Sequence, residues 1–309
     1  MLRALAVLLL AALARPALAI NDNAGTTGFG FLKVGVGARP SALGGAYTAV
    51  SGDVESVAWN PAGLVGLRDQ TVAVSLSSYL VDTQAGFVSL ALPAPDGARV
   101  WGLSALYFSY GEMREMSPQG QDLGSFGASD LAAYLSMAQT LWRGWLKVGA
   151  NLKAVYSSIG SYSSDAYVLD LGVLASGPLE GMAIGASLSN LGVVRRGYAG
   201  GHKDSLPVYA RLGVSHRPAH TPVPLLLLAD LNVPNDNDPY FAFGAEVHLA
   251  GGLYVRPGYS MQQTGMQGDQ NLGLTAGAGV ETRGYRLDYA YSAYPDLGDV
   301  HRVSLTGTF

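Results

Sequence analysis

Polarity alternates residue by residue along most of this chain, and a period of two restricts the chain to sheet. Across 146–156 one face carries Leu146, Val148, Ala150, Leu152, Ala154 and Tyr156. The other carries Lys147, Gly149, Asn151 and Lys153, with Val155 as the exception. The same division holds across 271–281 and 284–293. Successive strand side chains point to opposite faces, so each segment has one oily and one polar face.

Fourteen such segments can be marked, near 70–80, 83–92, 99–110, 130–141, 144–157, 165–176, 180–190, 207–216, 223–233, 239–249, 252–261, 270–281, 284–293 and 300–309. Most are long enough to cross a bilayer at a tilt and longer than the usual strand of a soluble sandwich. Their connections alternate. "PAPDG", "WRG", "GPLE", "RPAHT", "AGG" and "TRG" are short, while the intervening ones, such as 111–129 and 191–206, are longer. The first connection is the irregular one, being short. A rim of turns and a rim of loops is the arrangement of an outer-membrane barrel, with both ends of the barrel on the turn side. The oily face then meets lipid and the polar face the lumen, and closure satisfies the backbone. A soluble sandwich would share the alternation but explains neither the asymmetric rims nor the ending "HRVSLTGTF", with Phe309 last. Tyr79, Tyr107, Tyr110, Tyr156, Tyr167, Tyr240, Tyr285, Tyr289 and Tyr291 suit interfacial girdles.

The first residues differ. Arg3, an apolar run over 4–14, and Ala17-Leu18-Ala19 read as a secretory signal peptide cleaved after Ala19. No later segment is apolar enough for a spanning helix. The chain has no cysteine, so export without disulfides is expected and a lipid-modified cysteine is excluded. The formal charge of −4 becomes more acidic once Arg3 and Arg15 leave, which argues against nucleic acid. The expected division is a signal peptide at 1–19, a hatch at 20–68 and an outer-membrane barrel at 69–309.

The block "FLKVGVGARPSALGGAYTAVSGDVESVAWNPAGL", residues 31–64, resembles the opening of the PorV/PorQ family of outer-membrane barrels, relatives of the FadL-type transporters. "LDLGVLAS", "ASLSNLG", "LYVRPGYS" and "TAGAGVE" resemble it more loosely. The resemblance implies an all-β, 14-stranded barrel with a partly helical N-terminal hatch in its lumen. The count of fourteen segments is consistent with that architecture rather than independent of it. It implies two functions, which the sequence leaves open. One is an adaptor or shuttle in protein secretion or surface display, with a secretion translocon or secreted cargo as partner. The other is a FadL-like channel for hydrophobic small molecules, with Asn60-Pro61-Ala62 as the matching hatch element. It also implies outer-membrane lipid as surroundings, and Phe309 as the signal read by the barrel-insertion machinery.

The residues give the block a physical reading. Asn60 can cap a helix that starts at Pro61, and Asp53 can cap the turn through Ser56. Gly44-Gly45 allow close backbone approach, and Trp59 is the bulky anchor against the wall. Arg39 precedes Pro40, which favours an extended backbone, and can pair with lumen acids. The inward-facing acids are Asp170, Asp230, Glu246, Glu281 and Asp288, and the inward-facing bases Lys147, Lys153, Arg211, Arg256 and Arg286. Mixed signs favour ion pairing with the hatch over a one-sign selectivity ring.

Other chemistry is thin. "GVGARP" lacks a third glycine for a phosphate loop, and His216 and His220 flank a turn rather than share a helix face. "NDND" at 235–238 fits an ordinary Asx turn better than a calcium loop. No catalytic constellation, metal site or cofactor site is expected, so the protein reads as non-enzymatic.

Overall fold

The computed structural model describes residues 25–80, 83–198, 203–262, 273–294 and 298–309. The signal-peptide reading lies outside them. Fourteen antiparallel strands close on themselves: β1 (Thr71–Ser78), β2 (Gln84–Pro93), β3 (Arg99–Met116), β4 (Asp122–Leu141), β5 (Leu146–Ile159), β6 (Tyr162–Ser176), β7 (Met182–Arg196), β8 (Tyr209–His216), β9 (Leu225–Pro234), β10 (Tyr240–Leu249), β11 (Leu253–Ser260), β12 (Leu274–Thr282), β13 (Tyr285–Tyr294) and β14 (Gly298–Thr308). Each pairs with its neighbours in sequence, and β1 closes on β14 from Thr71 opposite Thr308 to Ser78 opposite His301. Closure leaves no edge whose amides would face hydrocarbon.

The polarity of a soluble protein is inverted. Leu76, Leu135, Leu152, Leu212 and Leu305 are exposed on the outer face, whereas Asn151, Asp288 and Ser304 are completely buried. Apolar side chains outside and polar ones inside is the arrangement lipid demands. No helix among the described residues is long and apolar enough to cross a membrane, so the strands do the crossing.

The 111–129 connection is not a loop. β3 and β4 run on as one hairpin, pairing through a bulge from Glu112 opposite Gly127 to Met116 opposite Asp122. β2 pairs with β3 only as far as Ser109, and β5 with β4 only from Ala128. The hairpin beyond those points stands clear of the barrel as a two-stranded arm. With both faces in solvent it needs no oily face, so it carries no alternation to read. β7 likewise runs on to Arg196, which shortens the 191–206 connection.

Aromatic residues mark the rims. Tyr107, Tyr110, Tyr156, Tyr167, Tyr285 and Tyr289 are exposed, and Tyr291 is partly so. Two of the expected girdle residues are not. Tyr79 follows the inward parity of β1 and packs edge-on against Phe108 with ring centroids 5.6 Å apart. Tyr240 follows the inward parity of β10, and its hydroxyl meets that of Tyr209 at 2.6 Å. At the turn end Trp142 and Trp145, both exposed, lie beside each other with centroids 6.0 Å apart. There too Phe309 meets Tyr285 edge to face at 6.4 Å.

Candidate functional site

The segment 27–67 lies inside the barrel and passes from its loop end to its turn end. At the loop end the Lys33 ammonium is 2.5 Å from Asp236, in the β9–β10 connection, and the Gly28 amide donates to the Ser205 carbonyl. At the other end the chain runs into β1. Between them are a short helix, α1 (Ala38–Ala42), and 3-10 turns at Val54–Ala58 and Pro61–Leu64. Asp53 accepts from the Glu55 amide, and Ser56 Oγ donates to the Asp53 carbonyl. Asn60 accepts from the Ala62 amide at 3.1 Å and leads into Pro61. Short polar side chains here hold free backbone amides, as caps do.

Arg39 is helical, not extended. Pro40 lies in the first turn of α1, where the amide it lacks would have had no intrahelical acceptor, and Gly37 makes the entry with a φ of 86°. The preference imposed by Pro40 is outweighed by what the helical turn allows Arg39 to reach.

Arg39 belongs to a closed ring of six charges. Its Nε and Nη2 donate to Glu246, both at 2.7 Å, and its Nη1 donates to Asp53 at 2.7 Å. Arg286 donates to Asp53 at 2.9 Å and to Asp288 at 2.7 Å. Arg256 donates to Asp288 at 2.7 Å and to Glu246 at 2.6 Å, which closes the ring. Signs alternate all the way round. Two members, Arg39 and Asp53, come from the inner segment and four from β10, β11 and β13. Burial alone would raise the Asp53 carboxyl, but the Arg286 and Arg39 guanidiniums hold it well below the usual carboxylate range. Glu55 stands beside the ring, fully buried, with no charged hydrogen-bond donor on its carboxyl among the described residues and only the Ser304 side chain acting on it as a hydrogen-bonding group. Burial first, and the charge of Asp53 next, push its carboxyl up to about 7.

The other residues expected in the lumen form a second group and two outliers. Lys153 pairs with Asp170 at 2.7 Å and donates to Asn190 at 2.6 Å, and Asp170 also accepts from Asn151. Asp230 receives the Tyr47 and Thr48 amides at 2.8 and 2.9 Å. Arg211 lies over the Tyr209 ring at 4.2 Å and the Trp59 ring at 5.6 Å. Trp59 itself donates to the Val36 carbonyl, so it joins the inner segment to itself as well as to the wall. Among the described residues Lys147 reaches only Ser51, at 3.3 Å, and Glu281 is exposed at the turn rim with the Tyr254 hydroxyl at 3.0 Å. The Asx turn at 235–238 supplies Asp236 to Lys33 and Thr27, and no group able to hold a metal occurs among the described residues.

Two features of the wall escaped the sequence reading. The first is a set of inward-facing glycines, paired across strands: Gly149 with Gly172, Gly185 with Gly213, and Gly244 with Gly258. A methyl at Gly172 would lie 2.0 Å from Asn60, one at Gly149 2.4 Å from Pro61, and one at Gly258 2.3 Å from Gly44. The inner segment thus rests directly on wall backbone, with Asn60 Nδ2 bonded to the Val173 carbonyl at 3.0 Å. The glycine column on the polar face was visible in the sequence as a regular spacing. The second is that the lumen has two unlike halves. Across β2–β6 the inward residues Phe87, Leu106, Phe108, Tyr134, Val155 and Val168 pack on Phe31, Val36 and Val57. That half carries an oily patch, bordered on β5 and β6 by Asn151, Lys153 and Asp170, and the charge ring occupies the other. Val155, the exception in its strand's alternation, belongs to the oily half.

A closed sheet of fourteen strands with inverted polarity and a filled lumen defines a transmembrane β-barrel of the outer-membrane type. The profile of Uncharacterised protein family (UPF0164) matches residues 10–167, and the chain belongs to that family. Among solved structures the chain is similar to the Ralstonia pickettii toluene transporter TbuX, at 15% identity and a TM-score of 0.64, over 89% of this chain and 98% of that one. It is also similar to a mutant of TodX, a monoaromatic hydrocarbon channel, at 12% identity and a TM-score of 0.61, over 89% of this chain and 99% of that one. At such identities the likeness is one of fold. No curated protein matches the chain.

Proposed function

We propose that the protein is a plugged outer-membrane channel for small hydrophobic molecules, with the segment 27–67 as its hatch. The observation that carries this reading is the oily half of the lumen. A pore for polar solutes has a wetted polar wall, whereas Phe87, Leu106, Phe108 and Val168 offer an apolar one. The fold shared with a toluene transporter and a monoaromatic hydrocarbon channel supports the same reading. The test is uptake of radiolabelled toluene by cells making the protein, against cells making the Leu106→Glu variant at equal folded yield. Faster uptake that the variant abolishes is expected; equal uptake with and without the protein would overturn the proposal.

A second reading, an adaptor of PorV/PorQ type in secretion or surface display, is supported by the projecting β3–β4 arm. Its strands leave backbone groups unpaired on both outer edges, which an incoming strand can use. Crosslinking from Met116 or Leu123 in cells, followed by purification in mild detergent, tests it. Recovery of the barrel alone from every position would dispose of the adaptor.

A further inference from the structure

A cavity of about 270 Å³ opens between the charge ring and the turn-end rim. We propose that it is a binding site for a small organic anion: a monocarboxylate with an aromatic or short aliphatic body. The proposal is independent of whether the barrel passes solutes or docks a partner.

The charges on its lining select the sign of the ligand. Arg39, Arg217, Arg256 and Arg286 line it, against the single carboxylate of Glu246. Glu246 is already engaged by three guanidinium nitrogens, from Arg39 and Arg256. Asp53 and Asp288, behind the lining, are taken up by the same ring. The ring as a whole is balanced, three arginines to three carboxylates. The cavity's surplus is therefore one cation, Arg217, which is exposed and has no carboxylate partner among the described residues. One surplus guanidinium calls for one monoanion, and its planar fork matches a carboxylate.

The walls select the body. β9 departs from the polar-inside rule: Leu226 and Leu228 face inward and are buried, and Leu226 lines the cavity beside Leu225. On the adjoining strands β10 and β11 are His248 and Tyr254, whose rings stack with centroids 4.5 Å apart and planes 11° apart. An inorganic anion would leave the apolar wall of Pro224 and Leu225 against water. A neutral hydrocarbon would leave Arg217 without an acceptor. A carboxylate on an apolar body satisfies both, as small-ligand sites do with a few polar groups in an apolar setting.

The probe is para-fluorobenzoate, followed by fluorine NMR with the full chain in nonionic detergent and empty micelles as the blank. Saturable binding is expected, weakened about tenfold in Arg217→Gln and partly restored in Arg217→Lys. Arg217 is exposed, so the variants keep the heat-dependent gel mobility of the folded barrel. Para-fluorobenzamide, of the same shape without the charge, should not saturate. Equal binding of the amide, or an unchanged affinity in Arg217→Gln, would overturn the proposal. So would displacement of the probe by inorganic phosphate or chloride at matched concentration, which would leave an anion site with no use for the apolar wall.

Discussion

Arg39 and Glu246 meet through two parallel hydrogen bonds of 2.7 Å, although 207 positions of sequence separate them. The pair ties the inner segment to β10 and is one side of a ring in which every charge has two opposite neighbours. Buried ion pairs add little stability over apolar packing but are costly to break singly. The ring therefore specifies where the segment sits more than how strongly the barrel folds.

Removing one member should be costly. Arg39→Gln leaves Glu246 with Arg256 alone and Asp53 with Arg286 alone, at a cost of about 3–5 kcal/mol to the seating of the segment. The measurement is urea-induced exposure of Lys33 to trypsin, with the transition moving to lower urea. The double variant Arg39→Met, Glu246→Met leaves two arginines against two acids and should recover a large part of the loss. A double-mutant cycle showing no coupling would contradict the ring.

Glu55 should make seating of the segment pH-dependent. Its carboxyl is raised from 4.5 to about 7 in the folded protein. Between those values the folded state holds a proton that the unfolded state has released, so stability falls as pH rises through the window. Below it the group is neutral in both states and no penalty applies. The charged groups that act on it are Asp53 from its own segment and Arg286 and Asp288 from β13. Glu55→Gln should abolish this dependence and stabilise the protein at pH 8 by up to about 3 kcal/mol, with little change at pH 4. Urea unfolding at the two pH values checks it.

The paired glycines should resist even a methyl group. Gly149→Ala places its Cβ 2.4 Å from Pro61 backbone, which cannot rotate away, whereas Gly86→Ala finds nothing nearer than Leu76 at 3.8 Å. The first should destabilise seating of the segment by about 1–3 kcal/mol and the second leave it unchanged. Single-channel conductance in planar bilayers gives an independent readout, with leak events expected in Gly149→Ala only.

The β3–β4 arm should be dispensable to the barrel. Replacing residues 112–126 with a short turn removes pairs that no other strand shares, so the thermal midpoint should not move. An isolated hairpin contributes little stability of its own. A marked drop would mean that the arm packs against the rim.

The alternation of Leu152 and Lys153, outward and inward, was open to reading because lipid and lumen demand opposite polarities. The caps at Asp53 and Asn60 were equally legible, since both act on amides within two residues. The arm was not, because a hairpin wet on both faces has no polarity to display. Nor was the conformation of Arg39: its local preference lost to partners 14 and 207 positions away. Val155, inward and apolar, hinted at the oily half, but one residue in an otherwise regular strand could not define it. The ring needed the register of β10, β11 and β13, which no local pattern supplies.

The charge ring also constrains the order of assembly. Arg39 and Asp53 belong to the part of the chain that is synthesised early, yet their partners lie on β10, β11 and β13, which are made late. Until those strands are registered, the two residues have only each other, and a desolvated pair whose remaining hydrogen-bonding capacity is unmet is costly to bury. The inner segment must therefore remain outside a half-built wall and enter as the final piece, so the first residues of the fold to be made are the last to reach their places.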